Sequence, residues 1–378
     1  MKKYSGITIV GAGIAGLTTG IILNQNGIQC QIFEAAEAIR PVGAGIILAN
    51  NAMQVYEKYG LRKKLESQGN FISSLNITDA QLRNLSKSNL SRFEQKYSVK
   101  NIAIHRSDLL NVLADEFGRD NIHLNKRLNK IVENHNYQLT FEDGSLHQCS
   151  AVIAADGIKS VVRNLLFEKS NYRDAHQICW RGISNIDLPH EFHHQLTEAW
   201  GKGARFGFVK INSNAVYWYA LKNKNIPTED LSVIFDKFHP LVNKIIGSTK
   251  ANDIIKTEIF DLEPIHVWTK NNVCLIGDAA HATTPNLGQG ACQGIEDAYV
   301  LGKLVAENKY ELEAMFEEYQ RLRMKKAHTI VNTSWRLGKI AHLENEFSIK
   351  LRNTFLKFTP QFINDSLMES IFDIKYSK

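Results

Sequence analysis

"GITIVGAGIAGLTTGIILNQNG", Gly6 to Gly27, decides the fold. Ile7, Ile9 and Val10 suit a strand buried on both faces, as in a parallel sheet. A glycine turn follows. A helix then carries Leu17, Ile21 and Ile22 on one side and stops near Asn26-Gly27, a C-cap pair. "QCQIFEAA" adds a second strand ending at Glu34, which completes a βαβ unit. Its turn reads Gly11-x-Gly13-x-x-Gly16. Gly11 permits the tight turn, Gly13 lets a pyrophosphate approach the backbone, and Gly16 lets helix and strand pack closely. Ile14 and Ala15 open the helix, where free N–H groups and the positive dipole end face the phosphates. Glu34 stands 18 residues beyond Gly16. An acid there accepts hydrogen bonds from ribose hydroxyls, so the unit reads as a dinucleotide site.

Two further stretches end buried strands in the same manner. "AVIAADGIKSVVR" delivers Asp156-Gly157, with Ser160 and Arg163 on a helical start. An Asp that merely caps this helix is the plain alternative. "LIGDAAHATTPNLGQG" delivers Asp278, a proline turn at Pro285 and the loop Gly288-Gln289-Gly290, which runs into a long helix. In an open α/β sheet, ligands sit at the carboxyl ends of strands. A glycine loop that opens a helix also stabilises negative charge on a ring system beside it.

Between these motifs the pattern changes. "YQLTFEDGSLHQC" reads as a hairpin turning at Asp143-Gly144. "ARFGFVKI" and "NAVYWYAL" are alternating, aromatic-rich strands of an antiparallel sheet inserted between the halves of an α/β domain. From about Leu312 onward the chain reads as mostly helical. The expected fold is α/β: a Rossmann-like nucleotide-binding domain, an inserted antiparallel β-sheet domain and C-terminal helices. The expected boundaries are 1–73, 100–165 and 270–340 for the first domain, 74–99 and 166–269 for the second, and 341–378 for the terminal helices.

Composition excludes several classes. The chain has 378 residues, a net charge of +6 and scattered basic residues. Nothing forms a nucleic-acid footprint. No run approaches the roughly 18 apolar residues of a membrane span. No secretory signal is visible, and the five cysteines lack a CxxC pair. These features point to the cytoplasm and to no disulfide frame. The "HEFHH" patch, His190 to His194, lacks a metal-ligand pattern with a carboxylate partner and reads as a solvated loop. No metal site is expected.

The ordered set "GAGIAG", "DGIKSVVR" and "GDAAHATTPNLGQGACQGIEDA" resembles the single-component, FAD-dependent aromatic hydroxylases, the p-hydroxybenzoate hydroxylase-like flavoprotein monooxygenases. It is similar to the salicylate hydroxylase, urate hydroxylase and zeaxanthin epoxidase branch. The resemblance implies tightly bound FAD, with NADPH or NADH as transient co-substrate and O2 as oxidant. Hydride transfer would reduce FAD, and a C4a-hydroperoxide would pass oxygen to a small aromatic or heteroaromatic substrate. It implies that Glu34 binds the adenosine ribose, that Arg40 and Arg106 lie near the cofactor, and that Asp156 serves FAD and NAD(P)H binding. It further implies that Asp278 holds the ribityl or pyrophosphate region, while Pro285, Leu287, Gly288, Gln289 and Gly290 border the isoalloxazine ring.

The substrate residues are read from the inserted strands. Arg205 is a candidate to pair with a carboxylate or enolate. Tyr217 is a candidate to position or deprotonate a hydroxyl. Both are equally compatible with ordinary strand positions. His281 is read as support for its loop rather than as a base. Alternatives are a reductase or dehydrogenase on the same fold that inserts no oxygen, and a flavin-bearing redox switch with a protein partner. Halogenation is disfavoured because no WxWxIP segment exists. Monomer and dimer both remain open. The amphipathic terminus, "LRNTFLKFTPQFINDSLMESIFDIKYSK", is expected to pack on the body, with membrane contact or dimerisation as the other readings.

Overall fold

The computed structural model describes residues 6–39, 44–167, 169–307 and 309–376. Its organising element is a six-stranded sheet in the order Thr269–Lys270, Val273–Leu275, Ala151–Ala154, Ile7–Val10, Cys30–Phe33, Ile122–His123. All pairings are parallel except that of the edge strand Thr269–Lys270. From Ile7–Val10 the chain adds Cys30–Phe33 on one side and later Ala151–Ala154 on the other, so the carboxyl end of Ile7–Val10 is a topological switch point. All four of its residues are buried, as expected of a central parallel strand.

The helix Ile14–Gln25 differs from its expected form. It is buried almost all round from Ile14 to Leu23, not on one side. The helices Gly290–Glu307 and Arg106–Phe117 both lie against it, with Gly20 facing Phe117 and Thr18 bonded to Tyr56, so the polar and small positions are covered as well as the leucine and isoleucines. Asn26 ends the helix and Gly27 adopts φ +79°, as the C-cap reading requires. A three-stranded sheet, Leu128–Asn134, Asn136–Phe141 and Leu146–Cys149, contains the hairpin turned by Asp143-Gly144.

A seven-stranded sheet stands apart from the parallel one. Its order is Ile255–Leu262, Tyr172–Ser184, Val216–Asn223, Ala204–Lys210, Gln195–Trp200, Ser74–Asp79, Asn84–Asn89. The expected wholly antiparallel sheet is corrected in one place: Gln195–Trp200 pairs in parallel with Ser74–Asp79. Ser74–Asp79 arrives from an earlier part of the chain instead of through a hairpin, so nothing forces an antiparallel pairing.

Alternation divides this sheet into two faces. Trp180, Phe206, Phe208 and Trp218 form one core with Phe235, Phe238, Leu241, Val242 and Ile245. The other face carries Arg181, Tyr217, Tyr219, Arg205, Glu198 and Leu75 and looks into a cavity. The chain closes with the helices Leu312–Ala341, Glu346–Phe358 and Gln361–Phe372. Among the described residues, no helix is long and apolar enough to cross a membrane.

Candidate active site

The first glycine loop is built by contact. Gly11 has φ +105°. A side chain on Gly16 would overlap the Gly11 carbonyl oxygen, so the helix reaches the strand only because both residues are glycine. Gly13 is different, since a Cβ there would meet no heavy atom within 4 Å. Its openness serves a ligand and not packing. Gly13, Ile14 and Ala15 line a cavity of about 620 Å³. This is the cradle that a pyrophosphate needs.

Glu34 braces the same loop. Its carboxylate accepts from the Ala12 N–H at 2.7 Å and from the Ala36 N–H at 2.9 Å. Gly11 and Gly16 shape the turn without lining the cavity, and Glu34 holds it from behind.

Asp156 meets the start of the next helix through one carboxylate oxygen. It accepts from the N–H groups of Val161 and Val162 at 2.7 and 3.2 Å, and it does not line the cavity. Burial raises its pKa against these hydrogen bonds. Ser160 caps the helix Val161–Leu166. Arg163 is buried and donates to the carbonyls of Ala279 and Ile158, which ties the second motif to the third.

The third motif sits directly on the first. A Cβ on Gly277 or Gly294 would come within 3.0 Å of the Ala15 side chain, so small residues at both places admit the helix turn. Asp278, Pro285, Leu287, Gly288, Gln289 and Gly290 all line the cavity. The loop then starts an 18-residue helix, Gly290–Glu307, whose N-terminus adjoins the cavity. Asp278 and Arg106 are exposed to the cavity and otherwise enclosed by protein. Burial raises the Asp278 carboxyl, countered by His281 and Arg106. Burial likewise lowers the Arg106 guanidinium, countered by Asp278. Arg40 lies outside the described residues.

His281 does support the loop. Its Nε2 lies 2.7 Å from Asp297, which also accepts from the Gly277 N–H and from Arg323. Burial works against the Asp297 charge, but His281 and Arg323 outweigh it and hold the carboxyl well below the usual range. Gln289 is anchored in turn by Asn51 at 2.9 Å.

The substrate candidates Arg205 and Tyr217 both reach the cavity, but in altered roles. Arg205 is already paired, with Glu198 at 3.1 Å and with the Asn286 side-chain oxygen. Its Nε is buried without a hydrogen-bond partner. Glu198 also accepts from Trp200 and Tyr219. Burial raises the Tyr217 phenol above its ordinary value. Sequence reasoning missed Glu198, Tyr219, Arg181 and Asn286. Glu198 left a signal in "QLTEAW", a charged residue on the same strand face as Trp200. Asn286 left none, because its partners Arg205 and Ser334 are remote in sequence. It joins the loop to the sheet, donating to Thr284 and to the Ser334 carbonyl. Among the described residues no group of acidic, histidine and cysteine side chains forms a metal site.

The open Gly13 cradle, the helix N-terminus at Gly290 and the long shared cavity suit FAD and define a flavoprotein of the hydroxylase class. Residues 4–334 match the family model described as FAD binding domain, and the chain belongs to that family. It is 33% identical to Aurachin C monooxygenase/isomerase of Stigmatella aurantiaca, over 94% of this chain and 95% of that one. It is 30% identical to 2-heptyl-3-hydroxy-4(1H)-quinolone synthase of Pseudomonas aeruginosa, over 97% of each. The structure of Klebsiella pneumoniae HpxO complexed with FAD and uric acid superposes with a TM-score of 0.89. That match has 27% identity and covers 97% of this chain and 96% of that one. That solved structure has the fold and the cofactor expected from the motifs.

Proposed function

We propose that this protein uses NAD(P)H and O2 to hydroxylate a small aromatic or heteroaromatic ring. The observation that carries the reading is one cavity bounded by the Gly13–Ala15 turn, the Pro285–Gly290 loop and the Tyr217–Tyr219 face. The relatives' names, which include a quinolone synthase and a urate hydroxylase, support a heteroaromatic ring.

FAD, when bound, would supply the redox chemistry of hydride acceptance from NAD(P)H and O2 activation, with one oxygen atom going to the ring and the other to water. The protein's own groups do the rest. Gly13 and the N–H groups of Ile14 and Ala15 receive the pyrophosphate. The helix N-terminus at Gly290 and the Arg106 guanidinium favour negative charge at the ring system. Asp278 balances Arg106. Tyr217 and Tyr219 offer planar faces, and the protonated Tyr217 phenol donates a hydrogen bond. Glu198 neutralises Arg205, so the pair offers directional hydrogen bonds with little net charge. This favours a neutral heterocycle over a free carboxylate.

The domain division at 1–73, 100–165 and 270–340 against 74–99 and 166–269 belongs to the same reading, with 341–378 as a terminal helical segment. So does a cytoplasmic location, supported by five cysteines that are all free and buried. A monomer or a dimer accommodates a site built from one chain.

The test is product analysis under 18O2 with NADPH and then NADH, using a panel of quinolones, purines and phenols. Label in a ring hydroxyl of at least one product, with matched nucleotide consumption, is the expected result. Nucleotide oxidised and substrate altered without label would establish the reductase or dehydrogenase reading instead.

A further inference from the structure

The C-terminal helix pair presents its apolar stripe outward. Phe347, Leu351, Phe355 and Phe358 recur at helical spacing along Glu346–Phe358, and Phe362 and Ile363 continue the exposed apolar run at the start of Gln361–Phe372. Phe347 is 75% exposed, Phe355 66%, Phe358 79% and Phe362 70%. Gln361–Phe372 buries Ile371 and Phe372 together with Asp365, which pairs with Arg92. On Glu346–Phe358 the inward side holds the buried Arg352, which donates to the Ala341 carbonyl. A surface helix of a soluble domain normally shows the reverse arrangement.

Lys350 and Lys357 are exposed on the helix that carries the stripe. Of the acids on the two helices, Asp365 pairs with Arg92 and Glu369 with Lys96, while Glu346 is exposed and stands 3.6 Å from Lys202. An apolar stripe flanked by lysines matches a bilayer surface that carries anionic headgroups.

The same helices border the active-site cavity. Leu356, Asn364, Leu367, Met368, Ile371 and Phe372 line it. They adjoin the sheet face that carries Leu75, Ile77 and Leu196, and Asn364 donates to Ser86 at the sheet edge. The helix pair therefore lies between the cavity and its own outer apolar stripe. A second copy seated on this face would cover that side of the cavity.

We propose that the C-terminal helix pair docks on an anionic lipid surface, with that side of the cavity turned toward the bilayer. On the hydroxylase reading above, the substrate enters from the lipid phase and carries an apolar substituent that Leu75, Ile77 and Leu196 accommodate.

The experiment is flotation of the full-length, FAD-loaded protein with large unilamellar vesicles of phosphatidylcholine, alone or mixed equally with phosphatidylglycerol. Binding to the mixed vesicles, weaker on phosphatidylcholine alone, is expected. Phe358→Ser together with Phe362→Ser should weaken it by about tenfold or more, given the apolar area each ring buries. Lys350→Glu with Lys357→Glu should weaken binding to the mixed vesicles only. Unchanged bound flavin in each variant shows that it folds. Wild-type protein that stays at the bottom of the gradient overturns the proposal. So does a dimer in sedimentation velocity that the double Phe variant dissociates, because the face is then covered by a second copy. Flotation does not read catalysis, so its failure and the failure of the oxygen-label experiment are distinguishable.

Discussion

Glu34 shows how one carboxylate positions a whole loop. It accepts two backbone N–H bonds, and hydrogen bonds to a charged acceptor contribute roughly 1.5–3 kcal/mol each. Glu34→Ala should weaken FAD binding by roughly ten- to a hundredfold, measured as flavin fluorescence released on dilution. Arg205 is held by Glu198 and Asn286. Arg205→Met strands Glu198 and frees Asn286. It should lower kcat/KM by at least about tenfold, since truncating one partner of a buried charge pair costs a few kcal/mol. Steady-state kinetics on the substrate that takes up label would check it. His342 is buried beside Arg205 and Arg352, and burial followed by these charges drives its pKa well below the ordinary 6.5. The unfolded chain therefore binds a proton that the folded chain refuses. The stability held above the ordinary histidine value is lost as pH falls below it. Melting temperature should drop between pH 7.5 and pH 5.5, and His342→Phe should flatten that slope.

At the scale of elements, the glycine turn separates packing from binding. Gly16 sits against the Gly11 carbonyl, whereas Gly13 faces open space. Gly16→Ala should destabilise the protein by about 1–3 kcal/mol through overpacking. Gly13→Ala should leave the urea midpoint near wild type while flavin content falls. Urea melts and flavin absorbance on the same samples would separate the two. The βαβ opening was legible because its period, its glycines and its acid are local in sequence. The strand face of Tyr217 and Tyr219 was legible only as aromatic alternation. The identity of the facing groups was not, because Glu198, Arg205 and Tyr219 come from three separate strands.

Across the whole molecule, a buried charged network fastens the C-terminus to the cofactor loop. Arg323 bonds Asp297 at 2.7 Å and Glu296 at 3.2 Å, and Tyr376 bonds Arg323 and Glu296. Glu296 in turn accepts from Asn51, which also holds Gln289. Removing one partner leaves uncompensated buried charge. Arg323→Met should therefore cost about 3–5 kcal/mol in thermal or urea unfolding. It should also loosen FAD, since Asp297 holds Gly277 and His281.

The sequence alone determined the parallel βαβ core, the cofactor class and the two loops that meet it. Those features rest on local periodicity and on glycines whose backbone geometry no other residue can share. Only the tertiary structure decided that Asp156 accepts from the first N–H groups of a helix, that Arg205 is paired with Glu198, and that the terminal helices turn their phenyl rings outward. Each of these depends on a partner distant in the chain or on which face of an amphipathic helix finds cover. Periodicity shows that such a face exists, but the packing of the remaining chain determines where it points.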